Sequence, residues 1–222
     1  KREKELILKA MDSHMKLDNY GRTTIRNIYF DTDDFRLARR SLEKPVYKEK
    51  LRIRSYGCAD SDSPVFVELK KKYKSVVYKR RLVMPDEQAE TVFKDSLPIP
   101  LETQIAEEIN YFRQYYKNLK PAVFLSYERE AYYSLDGSDF RVTFDENILY
   151  RENELNLGGD IYGTPLLEEG KTLMEIKTSG GYPLWMSHIL TELNVYKASF
   201  TKYGAAYRSI MANRTKEVCY AC

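Results

Sequence analysis

The chain has 222 residues, 43% of them apolar and 31% charged, with a formal net charge of +3. This composition excludes a disordered chain and can fill a sizeable core, and 222 residues fit one large domain, expected to span 1–222. No run approaches the roughly 20 apolar residues of a membrane span, and two His and three Cys leave little basis for a His/Cys metal centre.

Residues 3–16 carry Ile7, Ala10, Met11 and Met15 at helical spacing, which predicts a helix. Residues 23–30 are strand-like, and Asp31, Thr32 and Asp33 offer caps for a short helix to about Arg40. Three strands follow, over about 46–56, 64–73 and 76–84, with Tyr56-Gly57 and Lys74-Ser75 at the turns. Ile105, Ile109, Phe112, Tyr116 and Leu119 predict an amphipathic helix within 101–119, closed by Pro121. Strands are expected again at 122–133, 139–145 and 172–178, with 147–170 irregular and helices over 183–194 and 199–212. Hairpin-linked strands with interspersed helices predict an α+β fold on a mainly antiparallel sheet. Cys58 is alone, and Cys219 and Cys222 form a terminal C-x-x-C read as incidental, without the βαβ context of a redox pair. No charged-then-apolar leader is visible and nothing argues for an oxidising compartment, so the expected location is cytoplasmic.

Strand alternation sorts the charges. Lys48, Lys50, Arg52 and Arg54 share one face of the first of the three strands, with Tyr47, Leu51 and Ile53 on the other. Glu68, Lys70 and Lys72 share a face of the second, and Lys79 and Arg81 a face of the third, where Arg80 breaks the pattern. Arg141, Thr143 and Asp145 oppose Phe140, Val142 and Phe144, and Glu175 and Lys177 oppose Met174 and Ile176. A solvated face mixes signs, because like charges directly opposite one another are destabilising. These faces are dominated by cations, an arrangement that repels itself unless a polyanion neutralises it. If the sheet closed into a barrel, the rows would share one lumen. Arg would grip phosphate bidentately, Lys would act as a point charge, and carboxylates such as Glu68 and Glu175 would hold Mg²⁺ or Mn²⁺.

The stretches Tyr29-Phe30-Asp31-Thr32, Lys48–Gly57, Val65–Lys72, Tyr78–Arg81, Ser126–Tyr132, Phe140–Asp145 and Leu173–Thr178 follow in an order that resembles the VTC domain. That domain is the polyphosphate polymerase module of the triphosphate tunnel metalloenzyme (CYTH-like) superfamily. The resemblance implies an eight-stranded antiparallel β-barrel tunnel with helices packed outside. It also implies roles for single residues. Arg52 and Arg54 would be the R-x-R phosphate binders, Lys70 the lysine of the VFVExK strand, and Lys79 with Arg81 the cations of the next. Arg129 and Arg141 would act with them in catalysis, Glu175 would bind metal, and Lys202 would contact the polymer. Lys50, Lys72 and Lys177 join the substrate-binding row, and Glu68 the metal ligands. The family's first strand carries E-x-K-[YF], which Arg2–Leu6 does not match, so that strand is expected upstream of Lys1 or missing.

The implied activity is transfer of the ATP γ-phosphate to a growing polyphosphate chain, dependent on Mn²⁺ or Mg²⁺. A tripolyphosphate or nucleoside triphosphate hydrolase and a non-catalytic polyphosphate-binding module are the alternatives. The expected partners are ATP and polyphosphate or triphosphate, with a membrane-protein partner encoded elsewhere. Nucleic acid is not expected, because no RRM, KH or helix-turn-helix signature is present and the net charge is only +3.

Overall fold

The computed structural model describes residues 1–220, with side chains described through residue 215. Cys222 and the side chain of Cys219 therefore lie outside the described residues. Among these residues, six helices accompany a nine-stranded antiparallel sheet in an α+β fold. In chain order the elements are α1 (Arg2–Met11), β1 (Met15–Leu17), β2 (Thr23–Asp31), α2 (Arg36–Leu42), β3 (Tyr47–Tyr56), β4 (Pro64–Tyr73), β5 (Val76–Pro85), α3 (Asp86–Lys94) and α4 (Gln104–Tyr115). They continue with β6 (Lys120–Ser134), β7 (Arg141–Arg151), β8 (Thr164–Pro165), β9 (Leu173–Lys177), α5 (Leu184–Glu192) and α6 (Lys202–Tyr220). In hydrogen-bonding order the sheet runs β5-β4-β3-β2-β6-β7-β8, with β1 paired to β6 and β9 to β7. The chain gathers into two compact units, and β6 and β7 contribute residues to both.

One unit comprises Ile25–Ser126, Leu149–Leu166 and Thr201–Cys222. Its core is built from the apolar alternation of β3, β4 and β5: Leu51, Val65, Val67 and Leu69 are fully buried, and Ile53, Leu82 and Met84 nearly so. Each such side chain contributes at most about 1.5–3 kcal/mol by leaving water. Ile28 and Phe30 of β2 and Phe124 of β6 extend this layer, and α3 and α4 cover it with Ala89, Val92, Phe93, Ala106, Ile109 and Phe112. Helix α3 was not expected from the sequence. Its signals are Asp86 and Glu87 in the first turn, Lys94 in the last, and Ala89, Val92 and Phe93 at helical spacing.

Helix α4 begins after Thr103, whose hydroxyl accepts the Ala106 N–H at 3.2 Å. It ends at Tyr115 rather than Leu119, because Tyr116 leaves helical geometry at ψ 78° and donates its hydroxyl to Glu49 at 2.8 Å. Helix α2 starts at Arg36, later than expected. The buried Asp31 carboxylate accepts the Leu37 and Ala38 N–H groups at 2.8 and 2.9 Å and the Tyr203 hydroxyl at 2.7 Å. One side chain thereby fastens the start of α2 and the first turn of α6 to the end of β2.

The other unit comprises Lys1–Thr24, Tyr127–Ile148 and Leu167–Phe200. Its core joins Ile7, Met11, Met15, Phe140, Val142, Phe144 and Met186, with Met174 and Ile176 packed against it. Helix α1 stops at Met11 and not at residue 16, because Met15–Leu17 is recruited as β1 opposite Tyr132–Ser134. Strand β7 runs to Arg151, well past the expected end at residue 145, so the stretch 147–170 is less irregular than its composition suggests.

Candidate functional site

The polar face of the β3–β5 meander is best read rung by rung. Lys50 lies opposite Lys70, and Lys70 opposite Lys79. In the next rung Arg52 lies opposite Glu68, and Glu68 opposite Arg81. Lys48 and Lys72 pair on one side of these rungs, and Arg54 sits across from Phe66 on the other. The alternation expected from the sequence thus holds, and Lys50, Arg52, Arg54, Lys70, Lys72, Lys79 and Arg81 share one face with Glu68. Arg80, which broke the pattern, turns to the opposite face, where its Nε donates to Glu108 of α4 at 3.1 Å.

Glu68 is 1% exposed and holds this face together. Its Oε2 accepts from Arg52 Nε at 2.8 Å and lies 3.9 Å from Arg54 Nη1. Its Oε1 lies 2.6 Å from Lys79 Nζ and 2.5 Å from Arg81 Nη2. Burial alone would raise the Glu68 carboxyl. The charges of Arg52 and Arg54 and the hydrogen bonds from Lys79 and Arg52 reverse this and hold it well below the usual carboxylate range. One carboxylate thus serves four cations, and the rung beside it places three lysines opposite one another. Arg54 is itself buried, and its Nε donates to the buried Asn27 Oδ1 at 3.0 Å.

Tyr29 of β2, the cross-strand partner of Arg52, belongs to this group although sequence reasoning did not place it there. Arg52 Nη1 donates to its phenol oxygen at 2.9 Å, and its ring stacks on Tyr203 at 4.5 Å. Burial resists ionisation of the phenol, but Arg52, Lys50 and Arg54 outweigh it and lower Tyr29 to about 8. Lys50 is lowered to about 8 by its own burial and by Lys48, Lys70 and Arg52, against the opposing pull of Tyr29. Its Nζ donates to Thr201 Oγ1 at 2.9 Å, which places Lys202, the next residue and the first of α6, near the same row. The signal for Tyr29 was available in its parity: Asn27, Tyr29 and Asp31 alternate with the core residues Ile28 and Phe30.

The second unit to bear site residues has its own polar face. Arg129 donates from Nε and Nη2 to the fully buried Asp145 at 2.6 and 2.7 Å, and its Nη2 lies 3.8 Å from Glu175. Burial would lower the Arg129 guanidinium, but Asp145 raises it instead, so it stays charged. Arg141 lies opposite Lys177, another like-charge pair, and Thr143 lies opposite Glu175. The even-numbered residues of the same strands do different work. Lys4 of α1 reaches Glu130 at 2.6 Å and Glu146 at 3.2 Å on the helix-covered side.

The residues present test the implied metal ion unevenly. Both Glu68 oxygens are committed to guanidinium and ammonium groups, so this side chain does not fit a divalent cation. Glu175 does fit: its side chain is 38% exposed, and the facing Thr143 hydroxyl is buried without a hydrogen-bond partner among the described residues. Carboxylate and hydroxyl oxygens are hard donors suited to Mg²⁺ or Mn²⁺. No cluster of three or more His, Cys, Asp or Glu able to hold a metal occurs among the described residues. No helix among them is long and apolar enough to cross a membrane.

Comparison with known proteins agrees with this geometry. A search of curated proteins found no match. Among solved structures, a candidate adenylate cyclase of Bacillus halodurans is similar at 16% identity and a TM-score of 0.51, over 90% of this chain and 87% of that one. A candidate adenylyl cyclase of Hippeastrum, described as having a dominant triphosphatase activity, is similar at 15% identity and a TM-score of 0.44, over 65% and 68%. The likeness to the Bacillus halodurans structure is one of fold. The VTC domain family matches residues 2–211, nearly the whole chain, and the chain belongs to that family.

Proposed function

We propose that this chain is a polyphosphate polymerase domain that transfers the γ-phosphate of ATP to the end of a growing polyphosphate chain. The observation that supports this most is the rung Lys50–Lys70–Lys79 beside the rung Arg52–Glu68–Arg81. Such a row is self-repelling alone and complementary to a linear chain of phosphates. In this reading Lys50, Arg52, Arg54, Lys70, Lys79 and Arg81 neutralise phosphate oxygens, with Lys72 and Lys202 guiding the polymer and Glu68 keeping the guanidiniums aimed. Arg129, Arg141 and Lys177 take phosphate oxygens from their own face.

Phosphoryl transfer needs positioning and charge neutralisation more than covalent chemistry. A terminal oxygen of the acceptor chain attacks the γ-phosphorus, the bond from that phosphorus to the β,γ-bridging oxygen breaks, and ADP leaves. The acceptor supplies the nucleophile, so none is required of the protein. Glu175, with Thr143 beside it, would hold Mn²⁺ or Mg²⁺, which when bound neutralises phosphate charge. The expected setting is the cytoplasm, with a membrane-protein partner as a further expectation.

Incubation with ATP and Mn²⁺ should yield ADP and long-chain polyphosphate, resolved on a gel. Orthophosphate without polymer would assign the chain to the hydrolases, and binding without turnover to the binding modules. Glu175→Gln keeps the side chain's size but removes its charge. Turnover should fall about a hundredfold, in the range seen when groups supporting a metal are lost, while the melting temperature stays within a degree or two. Unchanged turnover would remove Glu175 from the metal role.

A further inference from the structure

The tip of the β4–β5 hairpin has no part in the chemistry above. Its turn residues Lys74 and Ser75 both have positive φ, 44° and 73°, a region that strains residues other than glycine and asparagine. The Lys74 N–H donates to the Val46 carbonyl at 3.0 Å, so the segment before β3 and the hairpin tip form one platform. Five large apolar side chains are exposed there: Val46 at 63%, Tyr73 at 46%, Val76 at 54%, Val77 at 48% and Tyr78 at 46%. Four lysines, Lys44, Lys48, Lys72 and Lys74, belong to the same platform. The Lys48 ammonium is lowered by burial and then by Lys72 and Lys44, so these lysines repel one another.

The side-chain directions constrain what could cover such a tip. Tyr73 pairs with Val76, and Tyr78 shares their side, whereas Val77 pairs with Lys72 on the other. A flat protein surface would cover one side of the hairpin. A medium that the tip enters covers both. Valines and tyrosines exposed on both sides of the tip, interleaved with lysines whose long stems let the ammonium reach headgroups, match the interfacial zone of an anionic bilayer.

We propose that the β4–β5 tip docks the protein on an anionic lipid surface, with Val76 and Val77 entering the acyl boundary and the lysines engaging charged headgroups. Lys72 also belongs to the proposed phosphate row, but Val76, Val77, the tyrosines and Lys74 do not, so the docking stands independently of the phosphate-transfer reading.

The test is flotation of the purified chain with vesicles of phosphatidylcholine, with and without phosphatidylserine. Binding is expected only when phosphatidylserine is present. Val76→Asp and Val77→Asp should each weaken it at least about tenfold, given the apolar burial lost, and Lys74→Glu should weaken it about fivefold or more. All three positions are exposed, and unchanged melting curves would confirm intact folds. Equal binding to neutral vesicles would overturn the proposal. So would binding that tripolyphosphate abolishes and Val76→Asp leaves unchanged, since the cationic row would then be the lipid contact. A vesicle-free dimer that Val76→Asp dissociates would assign the tip to a second copy of the chain instead.

Discussion

Glu68→Gln is expected to destabilise the protein more than any other single change on the cationic face. The substitution leaves an amide where Arg52, Arg54, Lys79 and Arg81 now converge on a carboxylate that is 1% exposed. An amide nitrogen has no lone pair to offer a guanidinium, so at least two cations lose their acceptor and gain nothing. Breaking a buried pair by removing one partner costs about 3–5 kcal/mol. Lys79 and Arg81 are 43% and 35% exposed and regain some hydration, so about 3 kcal/mol is the better expectation. Thermal melts in phosphate-free buffer give the loss directly. Adding tripolyphosphate should then restore more stability to the variant than to the parent, because the ligand supplies the missing negative charge. A metal role for Glu68 predicts something else: Mn²⁺ would stabilise the parent without phosphate, and that response would vanish in the variant.

The second large effect is on pH. Tyr29 and Lys50 are both lowered to about 8 in the folded protein, whereas in an unfolded chain they titrate near 10 and 10.4. Between about pH 8 and 10 the unfolded state therefore binds more protons than the folded one, and stability rises with pH across that window. The two groups are coupled: loss of one proton from the pair holds the other in place. Counting one proton gives about 1.4 kcal/mol per pH unit, or roughly 2.7 kcal/mol between pH 8 and 10, absent below pH 8. Urea melts from pH 7 to 10 should show the rise; Tyr29→Phe alone should keep it, because Lys50 then releases the proton, and Tyr29→Phe combined with Lys50→Met should flatten it. A parent whose stability is level or falls from pH 8 to 10 would contradict the assignment. The parent-minus-variant absorbance of the phenolate gives a second view. Tripolyphosphate on the row should move that transition from about 8 toward 10, because added negative charge opposes a second anion.

Much of the cationic face was legible in the sequence, because strand parity is a period-two signal that survives without coordinates. Lys50, Arg52, Arg54, Lys70, Lys79 and Arg81 could be assigned to one face from their spacing alone. What parity could not supply was the pairing across strands. Glu68 looked like a metal ligand because a carboxylate among cations has two uses. Only its register against Arg52 and Arg81 shows that both oxygens are already committed. Parity marked the face of Tyr29, but its partnership with Arg52 in another strand was hidden for the same reason. Helix α3 was missed although its end charges and spacing were present, because it follows β5 with no intervening loop. Helix α1 was read too long because Met15 fits the helical period, while the pull of β6 on residues 15–17 leaves no local trace.

The Asp31–Tyr203 hydrogen bond joins residues 172 positions apart, and that separation orders the events of folding. Strands β3, β4 and β5 span Tyr47–Pro85 with short connections, so their contacts close cheaply and early. Each compact unit is assembled from three separated segments, and the last of them ends at Phe200 in one and at Cys222 in the other. During synthesis the lysine and arginine ladder is therefore complete while the residue that locks α6 to β2 has yet to be made. A nascent chain in that state carries a bare polycationic surface beside ribosomal RNA, itself a polyphosphate. Pulse-labelled hydrogen exchange during refolding should accordingly protect the amides of β3–β5 before those of α6, and the reverse order would refute this sequence of events.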